Sequence, residues 1–252
     1  MADKLIVANW KMNPATLREA LKLTHELADV SDVKNVNMIV CPPFPYIASV
    51  SGHWAFAKIG AQDMFWEAKG AYTGEVSPVM LKSIGVSHVI LGHSERRRFL
   101  GETDEIINKK VVTALRAGLK VILCVGEDKD VRDQGLDAVK ALLKQQLSDD
   151  LEGTLNLATS TSLIIAYEPV WSLSTSGTGE VDTPEDARQM IEFIKEYLRG
   201  SLKPRVLYGG SVNAKNVESF IDYPSVDGAL VGAASLKAEE FKRIIKIASQ
   251  CG

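Results

Sequence analysis

Cysteine is scarce: three residues in 252, Cys41, Cys124 and Cys251, an odd number with no Cys-x-x-Cys pair. A disulfide framework is not expected, and a reducing, cytoplasmic compartment fits better. Long hydrophobic runs are missing as well. No apolar stretch approaches the roughly 20 residues that span a bilayer, and the one at 5–8 is broken by Asn9 too soon to read as a signal peptide. An excess of one charge is absent, since 29 Lys and Arg against 32 Asp and Glu leave a net charge of −3. That disfavours a nucleic-acid-binding surface, which usually carries a basic excess. Gly-x-x-x-x-Gly-Lys, a strand followed by Gly-x-Gly-x-x-Gly, and His-Glu-x-x-His do not occur, so neither a nucleotide cofactor nor a metal is expected.

What the chain does contain is a repeat of short runs rich in Val, Ile and Leu, at 5–10, 37–41, 58–62, 89–92, 120–124, 162–167, 205–208 and 228–231. Most are nearly continuous rather than alternating, the pattern of strands covered on both faces in a parallel sheet. Amphipathic segments lie between them. The clearest puts Ala187, Ile191, Ile194 and Leu198 on one face, with Thr183 predicted as N-cap, Pro184 at the first helical position and Asp186 at the third. The last helix repeats the stripe with Phe241, Ile244, Ile245 and Ala248. Strict βα alternation admits an open doubly wound sheet or a closed (β/α)8 barrel. Eight repeats favour the barrel, as one domain over 1–252. The Ser/Thr/Gly cluster at 172–178 follows a strand and precedes a capped helix, so it reads as a loop and not as a linker.

In a barrel, chemistry gathers at the carboxyl ends of the strands. Asn9 and Lys11 end the first run, His93 and Glu95 follow the fourth, and Glu168 ends the sixth. Gly209-Gly210-Ser211 and Gly232-Ala233 follow the seventh and eighth. A carboxylate, an imidazole, a lysine and two small-residue loops opening helices are the set needed to move a proton beside the carbonyl of a phosphorylated substrate. Small residues let backbone approach an anion, and a helix amino terminus supplies N–H groups and a favourable dipole. Taken singly, these residue types are more often structural, and His25, His53 and His88 are read that way. His93 differs in preceding Ser94-Glu95-Arg96-Arg97, a predicted helix start, where a neutral ring can donate to a carbonyl oxygen. Cys124 has no histidine beside it in the sequence and is read as packing.

Seven motifs occur in order: ANWKMN (8–13), GAQD (60–63), GAYTGE (70–75), GHSERR (92–97), AYEPVW (166–171), YGGSV (208–212) and DGALVGAASL (227–236). Together they resemble the triosephosphate isomerase family from end to end. The resemblance implies a cofactor-free, glycolytic isomerase acting on dihydroxyacetone phosphate and glyceraldehyde 3-phosphate. It implies Glu168 as the base, with Lys11, Asn9 and His93 stabilising an enediolate and Glu95 holding Lys11 or relaying protons. It further implies a homodimer, the 72–75 arm inserting into the partner, with Thr73 near the partner's site and Gln62 and Arg96 in support. Two departures stand out. The family usually has Gly-Gly where this chain has Gly232-Ala233, and a methyl group restricts the backbone where positive φ is required. After Glu168 the lid at 172–182 carries three extra residues, with Glu180 in place of a lysine, so that either Gly177 or Ser174 is the expected lid contact to phosphate. The enlarged lid is expected to close with different kinetics. It also admits a rival reading, a phosphosugar isomerase of altered substrate range. A third reading, a slow homologue kept as a binding protein, is disfavoured by the intact Asn9, Lys11, His93 and Glu168 set.

Overall fold

The computed structural model describes residues 3–53, 57–154, 156–173, 177 and 180–251. Strands β1 (Lys4–Asn9), β2 (Val36–Cys41), β3 (Lys58–Ala61), β4 (His88–Leu91), β5 (Lys120–Val125), β6 (Leu163–Tyr167), β7 (Arg205–Tyr208) and β8 (Gly228–Val231) pair in parallel in chain order. β8 pairs back onto β1, with Leu5 opposite Gly228 and Ala8 opposite Val231, and closes the ring. The open sheet is thereby excluded. The connections hold helices α1 (Leu17–Glu26), α2 (Ile47–Ser51), α3 (Pro78–Ser83), α4 (Ser94–Leu100), α5 (Asp104–Arg116), α6 (Lys129–Arg132), α7 (Leu136–Asp150), α8 (Pro184–Leu198), α9 (Val217–Ile221) and α10 (Ala238–Ala248).

The apolar runs are continuous because each strand is buried twice. In β5, Val121, Leu123 and Val125 join the shell beneath the helices. Ile122 and Cys124, of opposite pleat, meet Val7, Ile39, Ile90, Ile164 and Leu207 inside the ring. The outer shell receives the stripes expected of α8 and α10, all of whose named residues are buried. Thr183 caps α8, its hydroxyl accepting from the Asp186 N–H at 3.1 Å. Cys41 and Cys124 are buried in the ring, and all three thiols are free.

Three strands end one residue earlier than their apolar runs: β3 stops at Ala61, and two others stop where a left-handed residue follows. β1 stops at Asn9 and β4 at Leu91, because Lys11 (φ +53) and Gly92 (φ +70) reverse the backbone. Left-handed φ cannot continue an extended strand. Each of these two strands therefore hands the chain to the rim next to a residue with chemistry, Lys11 or His93.

Candidate active site

Closure of the ring brings Asn9, Lys11, His93 and Glu168, far apart in sequence, onto one cavity of about 340 Å³ at the carboxyl-end mouth. Leu173, Gly209, Gly210, Ser211, Gly232 and Ala233 complete its wall. All four reactive side chains thus reach a common space. A larger cavity of about 580 Å³ adjoins on the far side of Glu168, lined by Cys124, Gly126 and Trp171.

Glu168 leaves β6 buried, 2% exposed. One carboxylate oxygen lies 3.1 Å from His93 Nε2 and the other accepts from the Ser94 N–H at 3.0 Å. His93 is the N-cap of α4, and its Nδ1 accepts from the Glu95 N–H at 3.2 Å. Nδ1 must be unprotonated to accept, so in the neutral ring the proton sits on Nε2, the nitrogen that faces Glu168. The predicted helix start therefore sets the tautomer. Glu95 also reaches back to Lys11, Oε1 to Nζ 2.6 Å, as a holder of that ammonium.

Lys11 is a non-glycine residue at positive φ, which costs on the order of 1 kcal/mol or more. Neighbours hold it there. Asn9 Oδ1 accepts from the Lys11 N–H at 3.0 Å, and Gln62 Nε2 donates to the carbonyls of Lys11 and Cys41, both at 2.8 Å. Gln62 thus acts within its own chain as a clamp on Lys11. Arg96 also pairs inside the chain, with Asp63 at 2.8 Å and Glu102 at 2.7 Å. Lys110 joins the same two carboxylates from α5, and burial pushes Asp63 up to about 6. Thr73 lies exposed on the arm after β3.

Gly232 precedes a 3-10 helix, Ala233–Leu236, so Ala233 is helical and has no need of positive φ. The methyl group at that departure is therefore tolerated. A Cβ on Gly232 would stand 3.3 Å from Lys11 Cε, a tight contact that would press on the stem of that side chain. The N–H groups of Ala233 and Ala234 have no acceptor within the helix they begin. Ser211 donates its hydroxyl to the carbonyl of Ser172, at the foot of the lid, at 3.0 Å. Gly177 is exposed at φ +81, and Ser174, the other lid candidate, lies outside the described residues. Glu180 pairs with Lys129 of α6 at 3.0 Å, so the replaced charge has found a partner of opposite sign.

Gly126, Glu127 and Lys237 have no part in the sequence reading, and Gly209 enters it only as a member of the loop after β7. A Cβ on Gly126 would overlap the carbonyl oxygen of Glu168, and one on Gly209 would stand 2.9 Å from Glu168 Cγ. Glu127, fully buried, accepts from Tyr167 Oη at 3.0 Å and Trp171 Nε1 at 2.7 Å. Gly126 and Glu127 directly follow β5, so the strand-end rule that found Glu168 reaches them too. Lys237, five residues beyond Gly232, adds a cation to the cavity wall. Cys124 is buried beside Glu168, and both burial and that carboxylate raise its thiol well above the ordinary value, as befits packing. Among the described residues, no group of three or more His, Cys, Asp or Glu side chains is placed to hold a metal ion.

Comparison with known proteins agrees with this geometry. A family model described as triosephosphate isomerase matches residues 4–248. The triosephosphate isomerase of Carboxydothermus hydrogenoformans is 45% identical, over 98% of this chain and 99% of its own. Those of Caldanaerobacter subterraneus subsp. tengcongensis (44%, over 97% and 99%) and Herpetosiphon aurantiacus (44%, over 98% and 99%) are similar throughout. Eight closed strands, the shared cavity at their carboxyl ends and a match of nearly full length lead to one assignment: the chain belongs to the triosephosphate isomerase family.

Proposed function

We propose that the protein interconverts dihydroxyacetone phosphate and D-glyceraldehyde 3-phosphate with no cofactor, using Glu168 as the base. The observation that carries this reading is the single 340 Å³ cavity on which Glu168, His93, Lys11 and Asn9 converge with the two small-residue loops after β7 and β8. Glu168 takes the proton from the carbon beside the carbonyl. The electron pair left behind moves onto the carbonyl oxygen to give an enediolate, and the proton returns to the neighbouring carbon. His93, with its proton on Nε2, donates to the developing oxyanion. Asn9 uses its carbonyl to hold Lys11, which leaves its amide NH2 for the same oxygen. Lys11 supplies a fixed positive charge beside the anion. The backbone N–H groups around Ser211, Gly232 and Ala233 receive the phosphate, and the lid, through Gly177 or Ser174, covers it. Exclusion of water would also suppress loss of phosphate from the intermediate.

The active form is read as a homodimer, with Thr73 of one chain near the partner's site and Gln62 and Arg96 steadying the base of the arm. Three free thiols favour a cytoplasmic setting, and no described helix is long and apolar enough to cross a membrane. A coupled assay with purified protein, run on three- and five-carbon sugar phosphates, tests the assignment. Glu168→Gln, with its fold checked by circular dichroism, should lower kcat by several orders of magnitude on the triose substrate. Near-normal turnover would refute the role of Glu168.

A further inference from the structure

The opposite, amino-end mouth of the barrel has features the isomerisation does not use. Lys58, His88, Lys120 and Arg205 are the first residues of β3, β4, β5 and β7. The pleat turns all four inward. Lys120 shares a face with Ile122 and Cys124, His88 with Ile90, and Arg205 with Leu207, all of them residues of the ring interior. They line a cavity of about 350 Å³ whose floor is Leu5, Ile39 and Ile164. That space nearly equals the 340 Å³ of the candidate active site, with the apolar ring interior between them.

No carboxylate lines this cavity. The acids beside it are engaged elsewhere: Asp3 accepts from Asn37 Nδ2 at 3.2 Å, and Asp227 accepts from the Val206 N–H and pairs with Lys195, both at 2.7 Å. Among the described residues, Lys58, Lys120 and Arg205 take part in no ion pair, although the chain as a whole carries a net charge of −3. Two of these cations also bear on His88. Burial, then Lys120 and Lys58, lower it to about 4, with no carboxylate acting in the other direction. Its Nδ1 is shared with the Ser87 hydroxyl at 2.8 Å, so Nε2 is the nitrogen left for a ligand. Ser160 and Asn37 add a hydroxyl and an amide to the wall.

We propose that the amino-end mouth is a second, non-catalytic site for a small polyanion of the pyrophosphate or bisphosphate class. A concave space of this volume suits a small molecule better than a peptide. Three uncompensated cations from separate strands call for at least two negative charges. Tetrahedral oxyanions match both the guanidinium fork and the point charges of two ammonium groups. A ligand here would tie β3, β5 and β7 together without touching the reacting atoms, so it should raise stability and leave turnover alone.

The test follows thermal unfolding of the full chain in inorganic pyrophosphate, inorganic phosphate, a sugar bisphosphate and chloride at matched ionic strength. Lys11→Met serves as a background in which the catalytic mouth is weakened. Pyrophosphate should raise Tm beyond chloride in the wild type and in Lys11→Met. The double variant Lys120→Gln/Arg205→Gln should lose most of that rise and bind pyrophosphate at least tenfold more weakly by calorimetry, with kcat and KM unchanged. The larger response among the phosphate arms identifies the ligand type. No rise beyond chloride, or a full rise retained in the double variant, would overturn the proposal. Because Lys11→Met tests the other mouth separately, failure here leaves the isomerase reading untouched.

Discussion

Glu168 is held from three sides, and two of them are glycines. Its backbone passes so close to Gly126 that a methyl group there has no room, and its Cγ lies where a Cβ on Gly209 would come within 2.9 Å. The carboxylate meanwhile rests on the Ser94 N–H and His93 Nε2. Gly209→Ala, whose Cβ would also stand 3.0 Å from the Tyr167 carbonyl oxygen, should therefore push the Glu168 side chain aside by a few tenths of an ångström without emptying the cavity. A displacement approaching 1 Å can cost about 100-fold in rate, so kcat should fall by roughly 10- to 100-fold while KM moves less than about threefold. Gly200→Ala, which meets nothing within 4 Å, is the control and should leave both constants alone. Equal kcat for the two variants would show that Gly209 is a turn residue only. At this scale the sequence was legible where a reactive type stood at a strand end: Asn9, Lys11, His93, Glu95 and Glu168. Glycines that act by absence of a side chain leave no local pattern. The clamp of Gln62 on the Lys11 carbonyl depends on a backbone reversal that composition does not encode.

The segment after Glu168 meets the β5–α6 connection near both its ends, through Trp171 and through the Glu180–Lys129 pair. At its amino end Trp171 donates to Glu127, and the Arg132 guanidinium lies 4.9 Å from the Trp171 ring centroid. At its carboxyl end stands Asp182, 3% exposed and just before the cap of α8, with neither carboxylate oxygen in a hydrogen bond. Arg132 pairs instead with Asp186 at 2.5 Å. Burial, only partly offset by Arg132, raises Asp182 from 3.8 to about 7. The unfolded chain releases this proton near pH 4 and the folded chain near pH 7, so the folded state holds the extra proton between them. Stability from this group is fully present below pH 4 and is lost as pH rises to about 7. Asp63, raised to about 6, and Asp150, raised to about 8, act in the same sense, while His88, lowered to about 4, acts in the opposite one over pH 4 to 6.5, so wild-type slopes mix several groups. Asp182→Asn isolates the contribution of this one carboxyl. It should gain roughly 1–3 kcal/mol over wild type in urea unfolding at pH 8 and little at pH 4. An equal difference at both pH values would reject a buried, ionising Asp182. Strands and major helices were legible because burial on two faces writes continuous apolar runs and capping follows local chemistry, as at Thr183. A buried acid such as Asp182 was not, since nothing in its neighbours' identity marks the lid base that encloses it.

Over the whole molecule, exposed apolar side chains are unevenly spread. Among the described residues, Met12, Phe44, Tyr72, Val79, Met80, Phe99 and Leu100 are large, apolar and exposed. All follow β1 to β4 and precede β5, so they flank one half of the barrel. The other half contributes only Val181 and Tyr197 among the described residues. Contiguous apolar patches beyond a few hundred Å² are rare on monomers and mark contact surfaces. The arm with Thr73 belongs to the same half, as an isologous twofold contact requires. Met12 is the sharpest probe, because it is 92% exposed in the single chain. For an isolated barrel, Met12→Glu adds a solvated charge and should change stability by no more than about 0.5 kcal/mol. Across a twofold interface it would bury that charge twice and should break the dimer. Sedimentation equilibrium at micromolar concentration should give about twice the 27.5 kDa chain mass for the wild type and a single chain mass for Met12→Glu. Activity should fall with the mass and recover as concentration is raised. A wild-type mass of one chain across that range would remove the partner from the site, and Thr73, Gln62 and Arg96 would then act only within their own barrel.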